Sequence, residues 1–72
     1  MNIDSRTIIS VTDANQNFSR VTKIVKENGQ AVIFKNNKPK YMMLDINNTQ
    51  AIDKAYTQMK EWNEETKPKG AR

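Results

Sequence analysis

Ala31-Val32-Ile33-Phe34-Lys35-Asn36-Asn37-Lys38-Pro39-Lys40-Tyr41-Met42-Met43-Leu44 sets two apolar runs on either side of a polar stretch. β-Branched and aromatic residues suit a pleated, half-buried surface, and short runs of them bounded by turn formers read as strands. Asparagine accepts positive φ more readily than other non-glycine residues, so Asn36-Asn37 suits a tight hairpin turn. Pro39 has no N–H to give to a ladder, which assigns it to the start or edge of its strand. The stretch therefore predicts a β-hairpin.

Upstream, Thr7-Ile8-Ile9-Ser10 is β-branched enough for a short strand. Thr12-Asp13 then offers a helix N-cap with an acid in the first turn. Ala14, Phe18, Val21 and Val25 follow at helical spacing, with Ile24 beside Val25. Ser19 inside this run is a candidate cap, so two short helices bent near Asn17-Phe18 are an alternative to one. Asn28-Gly29 stops the helix, with Gly29 available for the left-handed conformation. Downstream, Ile52, Ala55, Tyr56, Met59 and Trp62 form a helical stripe, with Asn48 or Thr49 as cap. The expected order is strand, one or two helices, β-hairpin, helix: an α+β fold.

The chain has 72 residues, no Cys and no His. Disulfides, thiolate chemistry, the usual zinc sites and the commonest general base are thereby excluded. A lone core of this size supplies only roughly 3–5 kcal/mol, so a second copy is the expected reinforcement and a homodimer is predicted. No run approaches a membrane span, and Met1-Asn2-Ile3-Asp4-Ser5-Arg6 has no signal-peptide apolar region. A cytoplasmic protein without membrane contact is expected. No phosphate loop occurs, and Asp4, Asp13, Asp45 and Asp53 show no pairing by spacing. An enzyme is the least supported class, and neither a cofactor, a metal nor a small-molecule substrate is expected.

The formal net charge is +4, unevenly spread. Residues 20–40 hold Arg20, Lys23, Lys26, Lys35, Lys38 and Lys40 against Glu27 alone, a net +5, whereas residues 47–65 are net −2. Doubled about a two-fold axis, such a patch suits duplex DNA, whose phosphates supply most of the affinity and its salt dependence. Thr12, Asn15, Gln16 and Asn17 open a helix, where amides can pair with adenine edges or donate to phosphates. The plainer interpretation, helix caps and solvated surface, remains open at this point.

Ile9-Ser10-Val11-Thr12-Asp13-Ala14-Asn15-Gln16-Asn17-Phe18-Ser19 resembles the opening of Phd/YefM antitoxins: a short strand, a Ser/Thr-x-Ala stretch, polar residues, then Leu or Phe. The stretch 31–44 resembles that family's second block, in which a strand ending in a basic residue turns, passes Pro and returns as a strand. The resemblance covers roughly residues 6–60. It implies a homodimer paired through its sheets, binding of operator double-stranded DNA by the N-terminal half, and inhibition of a cognate toxin by the C-terminal helix and tail. It further implies autorepression that is stronger with toxin bound. Toxins met by the family include RelE/YoeB-type mRNA endonucleases and Doc-type kinases.

The family's basic position in the first helix falls on Asn15, a departure, since many relatives carry Arg there; the one ending the second strand falls on Lys35. Asn37 stands where Gly is frequent. With the neighbouring residues, the expected DNA contacts are Thr12, Asn15, Gln16, Arg20, Lys35 and Lys38. The expected division is residues 1–46 for dimerisation and DNA binding, 47–65 for a toxin-binding helix and 66–72 for a basic tail. On that helix, Ile52, Ala55 and Tyr56 are expected to pack on the hairpin. Met59 and Trp62 lie further out, where little protein remains to cover them, so Tyr56, Met59 and Trp62 are the candidate toxin contacts. The alternatives are an orphan DNA-binding regulator of the same fold without a toxin, and an interaction domain whose charge is only solvated surface.

Overall fold

The computed structural model describes residues 3–66. A 3-10 turn at Ser5–Thr7 leads into β1 (Ile8–Ser10), α1 (Val11–Gln16), α2 (Phe18–Asn28), β2 (Gln30–Lys35), β3 (Lys38–Leu44) and α3 (Thr49–Thr66). The order expected from the sequence is the order observed, in its two-helix form, and the fold is α+β with a three-stranded mixed sheet in the order β1-β2-β3. β1 and β2 are parallel, in the register Ile8↔Val32, Ile9↔Ile33 and Ser10↔Phe34. Parallel neighbours need a crossover, which α1 and α2 supply. β2 and β3 are antiparallel, joined through Asn36 and Asn37 at φ 54° and 63°. Two consecutive positive φ values are what a tight two-residue hairpin turn requires. Pro39 lies on the edge strand, as expected.

Polar side chains close the helix ends, not all where local patterning placed them. Ser10, rather than Thr12, caps α1: its Oγ accepts from the Asp13 N–H at 3.0 Å. The chain leaves β1 and enters the helix without an intervening loop, so the last strand residue is also the cap. Asn17 separates the helices, and its Oδ1 accepts from the Arg20 N–H at 3.2 Å and from Ser19 Oγ at 2.8 Å. Ser19 therefore supports the cap of α2 instead of being it. Gly29 ends α2 at φ 89°, and Asn48 caps α3 by accepting from the Ala51 N–H at 3.0 Å.

The sheet buries both faces. On one, Ile9, Ala14, Val21, Ile24, Val25 and Ala31 form a cluster joined by Ile33 and Met43. Phe18 does not join it as expected: it stands beside the break at Asn17 and is 59% exposed. On the other face, Val32 alternates away from Ala31 and Ile33 and is fully buried. With α1 and α2 on the first face, α3 is the element left to cover it; Ala55 and Trp62 of α3 are buried. At the other end of the contact, a Cβ built on Gly29 would lie 3.3 Å from the Ala51 Cβ.

An exposed ion pair anchors the entry to β1. Arg6 donates to both Asp4 carboxylate oxygens, the shortest contact being 2.6 Å. These side-chain hydrogen bonds, with the Arg6 backbone N–H, lower the Asp4 pKa from 3.8 to about 2. Because the folded value is depressed, the stability it carries is present above the ordinary carboxylate pKa and is lost as pH falls toward 2.

Two outcomes follow. Gly29→Ala should lower stability by about 1–2 kcal/mol in urea titration, from the left-handed φ and the close Ala51 contact. Arg6→Ala should raise the Asp4 midpoint from about 2 toward 3.8 without reaching it, since the backbone N–H at position 6 still donates, as read by carboxyl NMR.

Candidate nucleic-acid interface

The parallel register controls where the basic and amide residues meet. Ser10 pairs with Phe34, the residue before Lys35, and α1 begins at Val11. The start of α1 and the hairpin turn consequently occupy one end of the sheet. Lys35 and Lys38 are direct cross-strand partners flanking Asn36-Asn37, and both are exposed. Like charges directly opposite one another destabilise a sheet pair. No hydrogen bond or ion pair engages the Lys35 or Lys38 side chain among the described residues, so the repulsion is uncompensated.

Thr12, Asn15, Gln16 and Arg20 are all exposed. Thr12 lies in the first turn of α1, at the same end of the sheet as the hairpin turn; Asn15 and Gln16 lie in its last turn and Arg20 in the first turn of α2. The register brings Thr12, Lys35 and Lys38 to a common end but does not by itself place the other three beside the lysines. Of the amides that open the helical segment, Asn17 is occupied as the α2 cap, leaving Asn15 and Gln16 facing solvent. Arg6, by contrast, has its charge matched by Asp4.

The expected toxin contacts divide differently from their assignment by sequence. Tyr56, expected to pack on the hairpin, is 62% exposed, with Lys60 Nζ 5.8 Å from its ring centroid. Ile52 is half-buried and Ala55 fully buried. Trp62, expected to lie uncovered, is only 8% exposed. The correction has a geometric cause: α3 lies along the sheet and brings its far half onto the hairpin. There Met59, Trp62 and Asn63 share a groove of about 700 Å³ with Lys35, Asn36, Lys38, Pro39, Lys40, Tyr41 and Met42. Met59 remains accessible, at 37% exposed.

Lys40, Tyr41 and Met42 are among the groove residues absent from the expected site residues. Their signal was weak because the strand register slips there: Ile33 pairs with Tyr41 and Phe34 with Pro39, leaving Lys40 without a partner. Such a bulge re-aims side chains against the simple alternation. A second cleft of about 380 Å³ lies between the end of α2 and the start of α3, lined by Asp4, Asn28, Asn48, Lys54 and Gln58 among others. Among the described residues no group of acidic side chains could hold a metal ion, and no helix is long and apolar enough to cross a membrane. The proposed basic tail lies outside the described residues beyond Thr66, which belongs to α3.

No protein-family model matches the chain, and no curated protein or solved structure matches it.

Lys38→Glu should replace the cross-strand repulsion with attraction to Lys35 and stabilise the fold by about 0.2–1 kcal/mol. Thermal melts at low salt should show a gain that shrinks as salt is added.

Proposed function

We propose that this chain is an antitoxin of the Phd/YefM type: a homodimer that binds its own operator DNA, represses its operon and neutralises a cognate toxin. The single observation carrying the reading is the common end of the sheet at which the start of α1 and the Lys35–Lys38 pair lie. A phosphate between two opposed lysines relieves their repulsion and releases counterions, so the unfavourable pair becomes favourable on DNA. A two-fold axis would present two such ends to one duplex, the geometry of a palindromic operator. Thr12, Lys35 and Lys38 are the core of the proposed surface, with Asn15, Gln16 and Arg20 as further contacts. Asn15 in place of a cation favours adenine over guanine or phosphate at its position.

Neutralisation is assigned to the exposed side of α3, where Tyr56 and Met59 are available to a RelE/YoeB-type or Doc-type toxin. Trp62 reaches a toxin only if α3 leaves the sheet. Its burial favours the second reading, a DNA-binding regulator of the same fold without a toxin partner. Under either reading the chain is not an enzyme, and its partners are macromolecules.

In a gel-shift titration of the duplex upstream of its reading frame, the chain should bind as a dimer. Lys35→Ala should weaken binding across sequences and reduce the slope of log affinity against log salt by about one. An unchanged slope removes Lys35 from the contact set, and light scattering that shows a monomer at micromolar concentration overturns the dimer. Co-purification with the product of the adjacent reading frame separates the antitoxin from the orphan regulator.

A further inference from the structure

The groove between the hairpin and the far half of α3 combines two chemistries. Lys35, Lys38 and Lys40 stand along it, while Met42, Met59 and Trp62 supply an apolar surface, and no Asp or Glu lines it among the described residues. The side chains of these lysines make no ion pair among the described residues. Its volume, about 700 Å³, is in the range that holds a few side chains. Three uncompensated ammonium groups beside adaptable methionines call for an occupant that brings carboxylates and an apolar side chain together. The chain's own residues 67–72 include Lys67, Lys69 and Arg72 and no Asp or Glu, a side-chain charge opposite to the one this groove calls for. DNA phosphates match the lysines but leave the methionines unfilled, and the buried Trp62 offers little ring face for base stacking.

We propose that this groove docks a short acidic segment of a partner protein, seating an apolar side chain on Met42 and Met59 and flanking carboxylates on Lys35, Lys38 and Lys40. The site shares Lys35 and Lys38 with the proposed operator surface, so an occupied groove withdraws both lysines from phosphate. That competition rests on the DNA reading; the peptide site itself does not.

The chain has a single tryptophan, and it lines the groove, so its emission reports occupancy in the full-length chain without DNA. The probe is an acetylated hexapeptide of two leucines flanked on each side by two glutamates. A saturable change in Trp62 emission is expected, with a dissociation constant on the order of 10–100 µM for so small a contact. Lys40 is outside the proposed DNA contacts. Lys40→Glu should weaken the peptide about tenfold and Lys40→Ala about threefold, each with an unchanged circular dichroism spectrum. Several results overturn the proposal: no saturation up to about 1 mM peptide, equal binding of the hexapeptide with lysines in place of glutamates, or undiminished binding by folded Lys40 variants. Oligothymidine binding that is tighter than the peptide's and is itself weakened by Lys40→Ala also overturns it, assigning the groove to nucleic acid. Failure of the chain to shift any duplex, with the peptide still binding, would sink the operator reading and leave the groove standing.

Discussion

The parallel pairing of β1 with β2 is the constraint from which the rest of this molecule follows. Three residues of β1 cannot form a parallel neighbour without a crossover, and α1 and α2 are that crossover. Their apolar stripe then has one place to go, the sheet face carrying Ile9, Ala31 and Ile33. The same register sets Ser10 opposite Phe34 and so puts the turn into α1 beside the hairpin end of the sheet. A slip of one residue would reverse every side chain of β1 and expose the buried Ile9.

The opposite face gives α3 its role. Val32 is buried on the side that the first two helices do not reach, and Ala55 and Trp62 of α3, the element left for that side, are buried too. Gly29 lets the two layers meet closely, because its missing side chain leaves the space that Ala51 approaches. A helix that covers a core is not wholly free to embrace another protein. The exposed Tyr56 and the half-open Met59 are available from the folded state, whereas releasing Trp62 means re-exposing apolar surface at about 25 cal/mol per Å². Binding through Trp62 would thus be coupled to loosening of the sheet's second face.

Charge placement on the hairpin runs against stability. Lys35 and Lys38 oppose one another across the turn, and Lys40 sits unpaired at the bulge, with no acidic neighbour in the groove they border among the described residues. A sequence selected only for folding would place an acid in one of these positions. Residues that disobey a local rule tend to mark function, and here the disobedience is concentrated at one end of the sheet.

The hairpin, its Asn36-Asn37 turn, the stop at Gly29 and the cap at Asn48 were legible in the chain because each depends on backbone preferences of a few adjacent residues. Ser10 as cap was missed because strand and helix abut there, and Phe18 was misplaced because the break at Asn17 interrupts the helical phase. The placing of Thr12 and Lys35 at one end of the sheet, the burial of Trp62 and the groove beside Lys40 were decided only in three dimensions. They depend on strand order, register and the layer to which α3 packs, which are long-range choices made by burial of two sheet faces. No spacing along a chain encodes them, because residues 12 and 35 reach one end of the sheet, and 40 and 62 one groove, only after the sheet has formed.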